Sequence, residues 1–321
     1  RIDSLKAQRK LAKIALDRIA KLRKSGAASQ ARVAVSALSH SLANLESGLS
    51  SKLFYRKPRG MQPTAAGERL YVHARSILKA VSAAERDIRE SGGEVTGEIS
   101  AGLAHSAVRA IGVPLMKKVL ESYPELQLSL TESLSGPTLT HLTSADVDLA
   151  LVFNPPADPL LKILPVLEEK LICVGLPEII GDTDDPISFD EMIELPIILL
   201  RQGPSTRALF DDVGTMKKLE AKARLQLNSI YAITGSLLAG LGCTVGTNLI
   251  MHEQLENGFL HFRHIIEPEL SRTLCMCEMA DRPATFAFET VRTLILELID
   301  DAHTSGQWGA TTLVNSPKLA S

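Results

Sequence analysis

From residue 97 onward, short stretches of period two alternate with longer stretches of period three to four. This is the signature of strands and helices taken in turn. GEISAGLA reads as a strand, and a helix is expected near 107–122. LQLSLTE is a second strand, and Thr138–Thr143 falls in a short helix. DVDLALVF is almost continuously aliphatic beyond Asp148, as suits a strand buried on both faces of a parallel sheet. KILPVLEEKLICVG leads out of this unit, and a second one starts near Gly181. Its elements are the strand PIILL, a loop and helix through RQGPSTRALFDDV, the strand ARLQLN, the helix SIYAITGSLLAG and a short strand at GCTVG. SRTLCMCEM and FAFETVRTLILELI then supply a strand and a closing helix that can return to the first unit. Two α/β units joined by crossing strands enclose a cleft.

Before residue 94 the pattern is helical. Leu5, Leu11, Ile14, Ala15, Ile19 and Leu22 form a stripe that breaks at Ser25–Gly26. In SALSHSLANLESGL the leucines 38, 42 and 45 face one way, leaving Ser36, Ser39, His40 and Asn44 wholly or partly on the outer side. Ser36 can cap this helix, and Ser47–Gly48 can end it. Two short helices across a tight break suit a helix-turn-helix, although a solvated helix on a small bundle uses the same residue types. Leu53, Phe54 and Tyr55 are the expected anchors of the next segment. Arg56, Lys57 and Arg59 surround Pro58 in a basic turn ending at Gly60, placed to meet phosphates. Thr64 then caps a long helix whose narrow seam is Leu70, Ala74, Ile77, Leu78, Val81 and Ala84. A single narrow seam calls for a second copy of itself, hence a dimer through residues 64–90. Ser91-Gly92-Gly93 is a joint.

Charge sharpens this division. Residues 1–90 carry 19 Lys and Arg against 7 Asp and Glu, while the other 231 carry 16 against 30, although the whole chain nets only −2. A basic head on an acidic body suits a head that meets a polyanion. No uncharged apolar run reaches the ~18 residues of a membrane span, and RIDSLKAQRK lacks the apolar centre of a secretory signal. A cytoplasmic location is therefore expected, and the four cysteines, Cys173, Cys243, Cys275 and Cys277, are expected as reduced core residues. Gly240-x-Gly242 lacks the rest of a dinucleotide fingerprint, and neither His-Glu-x-x-His nor Gly-x-Ser-x-Gly occurs. No catalysis, cofactor or metal is expected.

The run SALSHSLANLESGLSSKLFYRKPRGMQPTAAGERLYVHARSIL resembles the winged helix-turn-helix and linker helix of the LysR-type transcriptional regulators. The match lies in Ala37-Leu38-Ser39, Leu45-Glu46, Leu53-Phe54-x-Arg56 and Thr64-x-x-Gly67. Two departures stand out: Val35 replaces a family glutamine, and the preceding helix is several residues short. YPEL, Ser135-Gly136, DVDLAL and AGLGCTVG are similar to the effector domain of the same family. ESLSGPTLTHLTSADVDLALVF looks like its nitrogen-assimilation-control and sulfur-control branch.

The implied fold is α/β: an N-terminal winged helix-turn-helix with a long linker helix, then a two-subdomain domain like the periplasmic binding proteins. The expected segments are 1–63, 64–93 and 94–302, the last divided into subdomain I (about 94–174 and 270–302) and subdomain II (about 175–269). A polar, unpatterned tail follows at 303–321. Candidate effector contacts at strand ends are Ser106, Ser135, Thr138, Asn154, Arg201, Gln202 and Thr247. For a lone Ser or Thr, capping its own helix competes with that role, and Arg201 also suits solvated surface. The resemblance implies double-stranded promoter DNA and a small, often anionic, effector as partners. It also implies dimers paired into tetramers, with RNA polymerase a further candidate. The alternative is a small-molecule binder that has lost its DNA role.

Overall fold

In the computed structural model the described residues are 35–57, 60–89, 95–201, 213–282 and 284–313. The chain forms two compact units, Arg1–Ser91 and Gly92–Ser321.

In the first unit, helix α1 (Val35–Gly48) ends where Ser50 turns over with φ 47°. Ser36, expected as its cap, already lies among the helical residues. Strands β1 (Phe54–Lys57) and β2 (Gly60–Pro63) form an antiparallel hairpin in which Lys57 faces Gly60. Leu53 and Phe54 are buried against Leu42 and Leu45 of α1 and against Met61, Ala66, Leu70 and Tyr71. Tyr55 is not an anchor. Alternation turns it to the other side of its strand, where it is 59% exposed. Thr64 starts helix α2 (Ala65–Arg89): its hydroxyl accepts from the Gly67 N–H at 3.0 Å and donates to the Lys52 carbonyl at 2.7 Å.

The second unit is two-lobed. The first lobe holds a six-stranded sheet in the order β14-β6-β13-β5-β3-β4. Strands β3 (Gly97–Ala104), β4 (Leu126–Ser133) and β5 (Leu149–Phe153) run parallel. Strands β6 (Leu161–Lys170), β13 (Ser271–Met279) and β14 (Thr311–Thr312) add on antiparallel. Every residue of β5 is buried, because the sheet is covered on both sides. Leu149, Leu151 and Phe153 enter one core cluster, together with Leu274 and Met276 of β13. The intervening Ala150 and Val152 enter another, with Cys275, Cys277, Leu139 and Leu142. The two cysteines therefore share a face, as period two requires.

Helix α3 (Val113–Ser122) follows β3 through the short helical turns His105–Ala107 and Val108–Gly112. Helix α4 (Ser135–Thr143) follows β4. The second lobe contains the sheet β11-β7-β12-β8, made of β7 (Ile172–Gly175), β8 (Ile187–Ser188), β11 (Thr244–Gly246) and β12 (His261–Ile266). A parallel pair, β9 (Ile198–Leu200) with β10 (Leu225–Leu227), lies beside it. Helices α5 (Val213–Lys222), α6 (Ile230–Leu238) and α7 (Asn248–Glu256) belong to this lobe. The chain crosses between the sheets at Leu171 and at Leu270, and these residues are joined by an N–H···O bond of 2.8 Å. The first lobe thus gives up the chain after Lys170, ahead of the expected residue 174.

Helix α8 (Phe286–Thr304) closes the first lobe, its start capped by the Thr285 hydroxyl. The expected unpatterned tail is instead folded through residue 313. The chain turns at Gly306 with φ 77°, buries Trp308 completely and pairs β14 with β6. The Trp308 ring enters the first-lobe core, and backbone bonds to Ala302 and Val166 hold the segment on either side of it. Among the described residues no helix is long and apolar enough to cross a membrane. Trp308→Ala is expected to cost about 3–5 kcal/mol, read as a lower denaturant midpoint of the effector unit in the full chain.

Candidate functional site

In the first unit, α1 turns Leu42 and Leu45 inward and leaves His40 and Asn44 exposed one helical turn apart. Ser36 and Ser39 lie on the same helix. Arg56 and Lys57 lie on β1, with Lys57 exposed, while Arg59 lies outside the described residues. Helix and hairpin are locked together by Glu46. Its carboxylate accepts from the Leu53 N–H at 2.8 Å, the Phe54 N–H at 3.3 Å and Lys52 Nζ at 3.0 Å. Burial alone would raise this carboxyl, but the bonds from Leu53, Lys52 and Phe54 outweigh it and hold its pKa below the ordinary 4.5. A second lock is steric, since a Cβ on Gly67 would lie 2.2 Å from the Leu53 carbonyl oxygen.

In the second unit the parallel strands all present their carboxyl ends at one edge, and both crossovers leave from that edge. Ser106, Ser135 and Asn154 follow β3, β4 and β5 there. From the other lobe, Leu249 of α7 packs into the first lobe's core, and Arg109 Nη2 meets Glu253 Oε1 at 3.0 Å.

Each candidate hydroxyl or amide has its own role in this setting. Ser135 Oγ accepts from the Phe153 N–H at 3.0 Å. Thr138, fully buried, bonds to Ser133 Oγ at 2.6 Å and donates to the Leu134 carbonyl at 2.9 Å. Asn154, in the left-handed region at φ 46°, accepts from the Thr273 N–H at 2.8 Å. Ser106 Oγ accepts from Arg272 Nη2 at 2.7 Å. Thr247 occupies the N-cap of α7, yet its buried Oγ1 has no hydrogen-bond partner among the described residues. Capping, the competing role for these side chains, is performed by none of Ser106, Ser135, Thr138 or Thr247. Arg201 is exposed, its N–H donating to the Leu227 carbonyl, and Gln202 lies outside the described residues.

Sequence reasoning missed the strongest electrostatic feature of this edge. Glu169 and Arg272 face each other across β6 and β13 as an almost fully buried ion pair, with Nη2 2.6 Å and Nε 2.8 Å from Oε2. The guanidinium carbon lies 3.7 Å from the centre of the Phe153 ring. Trp308 Nε1 donates to Glu169 Oε1 at 3.3 Å. The available signal was a charge whose same-face neighbours two residues away are leucines, Leu167 and Leu171 for Glu169 and Leu270 and Leu274 for Arg272, but the partners are 103 residues apart.

The cysteines are all free thiols and buried. Contact with Cys243, then burial, pushes the Cys173 thiol well up, and burial does the same for Cys277. Among the described residues no group of three or more His, Cys, Asp and Glu side chains is arranged to hold a metal ion.

Comparison with known proteins adds the following. Residues 92–300 match the LysR substrate binding domain, and residues 16–68 match the bacterial regulatory helix-turn-helix protein family of lysR type. The nitrogen assimilation regulatory protein nac of Klebsiella aerogenes is 33% identical over 223 residues, covering 68% of this chain and 71% of its own. The regulator BbuR of Bordetella bronchiseptica is 26% identical over 291 residues, 90% of each chain. Among solved structures, a full-length OxyR variant from Pseudomonas aeruginosa superposes with TM-score 0.65 at 15% identity, covering 91% of this chain and 93% of its own. Full-length CbnR in complex with its target DNA gives 0.60 at 16%, covering 92% and 99%. These two likenesses show the shared fold, an N-terminal helix-turn-helix with a linker helix before a two-lobed α/β domain.

Two outcomes follow from the locks in the first unit. Gly67→Ala is expected to destabilise that unit by about 1–3 kcal/mol, seen as an earlier melting transition. Because the folded pKa of Glu46 is depressed, its contribution to stability is present above the unfolded value of 4.5 and is lost as pH falls through the folded pKa. Glu46→Ala should therefore be less stable than wild type near pH 7, with the gap narrowing in acid melts below pH 4.5.

Proposed function

Because the chain belongs to the LysR family of bacterial helix-turn-helix regulatory proteins, we propose that it is a sequence-specific transcriptional regulator of promoter DNA, controlled by a small molecule held between the two lobes of its second unit. The observation that carries this reading is the division of labour in the first unit. One face of α1 is buried against the hairpin, while His40 and Asn44 are exposed on it and Lys57 is exposed on β1. Small polar side chains on such a helix can approach base edges, and cations on a hairpin neutralise phosphates. Ser36, Ser39, His40 and Asn44 are assigned to the bases, and Arg56, Lys57 and Arg59 to the backbone.

The effector is assigned to the carboxyl edge of the first lobe and the facing residues of the second: Ser106, Ser135, Thr138, Asn154, Arg201, Gln202 and Thr247. Of these, Ser135, Thr138 and Asn154 shape the edge, since their polar atoms hold it together. Thr247 has a buried hydroxyl still to be used. A small anion suits this place because helices start there. Its binding alters how the lobes close and so how paired heads sit on DNA. The protein works without a catalytic step of its own, in the cytoplasm, with RNA polymerase as a downstream partner. Within the family, the 33% identity to the Klebsiella protein supports a place near the nitrogen-assimilation-control and sulfur-control branch.

Assembly as a dimer through α2, and as a tetramer of two such dimers, is supported by unpartnered apolar surface. Ile77 on α2 is 60% exposed, Leu120 on α3 76% and Tyr231 on α6 90%.

The test is a gel-shift series on promoter DNA at several salt concentrations. Arg56→Ala and Arg59→Ala are each expected to weaken binding to all sequences and to reduce the log–log salt slope by about one. Ser39→Ala and His40→Ala should instead change preference between sites by about 1–3 kcal/mol. Four variants that shift DNA as wild type does would overturn the assignment of these residues, whereas a wild-type chain with no salt-sensitive affinity for promoter DNA would leave a small-molecule binder.

A further inference from the structure

Glu169 and Arg272 flank the two crossings between lobes, two residues before Leu171 and two after Leu270. Together with Ser106 and Trp308 they form an unbroken line of buried hydrogen bonds. Ser106 Oγ accepts from Arg272 Nη2 at 2.7 Å, Arg272 bonds to Glu169 Oε2, and Glu169 Oε1 accepts from Trp308 Nε1 at 3.3 Å. We propose that Arg272 is a positioning residue of the effector site: it sets Ser106 as a hydrogen-bond donor toward the effector and couples that contact to the crossover strands and to Trp308.

The chemistry of the groups dictates this direction. A guanidinium has five donors and no acceptor, so the Ser106 oxygen must accept from it. The hydroxyl then keeps its own proton to give, and a hydroxyl that accepts from a cation is a stronger donor. Ser106 therefore selects an acceptor oxygen, as on a carboxylate or sulfate, over an ammonium group. The same Nη2 serves both Ser106 and Glu169. A pull on Ser106 consequently changes the ion pair, and with it the carboxylate that Trp308 binds. At side-chain exposures of 5% and 3% for Arg272 and Glu169, solvent does not screen this line.

The proposal rests on the regulator reading of the same edge, but it can fail separately. Trp308 is the single tryptophan of the chain, so its fluorescence reports the end of the line without interference. In the full chain, Ser106→Ala is expected to shift the emission maximum and lifetime of Trp308. Arg272→Lys, which keeps the charge but replaces the planar fork by a single ammonium, should give a smaller shift than the double variant Arg272→Met with Glu169→Gln, which leaves no stranded charge. Thr247→Ala, which touches none of these groups, should leave the emission unchanged. Titration with sodium acetate or sodium sulfate is expected to shift wild-type emission and to lose that effect in Ser106→Ala, while methylammonium chloride at equal ionic strength gives none. A Trp308 signal unmoved by Ser106→Ala overturns the coupling, and it does so without touching the regulator reading if acetate or sulfate still alters DNA affinity. Conversely, a Trp308 signal that follows Ser106→Ala while neither anion affects DNA binding supports the coupling and removes the effector assignment of this edge.

Discussion

Strands β5 and β13 lie side by side and are covered on both faces, and the rest of the effector unit is arranged around that constraint. Successive residues feed opposite cores, with Leu151 and Met276 to one side and Val152 and Cys275 to the other. A pair buried in this way tolerates no register slip, since a shift of one residue would exchange every side chain between cores. The fixed register places Asn154 beside Thr273, and the pairing of β13 with β6, past a bulge between Leu274 and Cys275, sets Arg272 opposite Glu169. All of the polar geometry at the carboxyl edge descends from hydrophobic packing a few residues away.

That polar geometry is mostly used to build the edge. The Ser135 hydroxyl satisfies the amide of Phe153, and the Asn154 amide satisfies that of Thr273, so backbone groups at the ends of strands are not left unpaired in the interior. The buried ion pair follows a different logic. Taking both charges from water costs more than an apolar pair of the same size would, and the cost is offset by short contacts, the Phe153 ring, Ser106 and Trp308. Removing one member would strand the other charge. A buried pair of this kind is therefore no ground for a large net stability.

The first unit solves a smaller problem with local devices. Among its described residues the core cluster is Leu53 and Phe54 with the side chains packed on them. Helix α1, hairpin and helix α2 are therefore tied by directed contacts: Glu46 holds the amides of Leu53 and Phe54, Thr64 bridges Lys52 and Gly67, and Gly67 admits the Leu53 carbonyl. Five of the residues by which the sequence resembles its family, Glu46, Leu53, Phe54, Thr64 and Gly67, make these ties. The resemblance is therefore a physical one.

Periodicity was sufficient for the element types: the strands at 97–104, 126–133 and 149–153 and the helix after Thr64. These properties depend on which side of a strand or helix a residue faces, and that is written locally. Tertiary structure alone decided which polar groups meet. Ser106 was legible as a strand-end serine, but its partner Arg272 is 166 positions away and their meeting depends on sheet order. The docking of Trp308 was equally hidden, because a polar segment with one aromatic residue carries no period. Its place was set by Glu169 of β6, the Ala302 carbonyl of α8 and the first-lobe core, which come together only once the chain has folded.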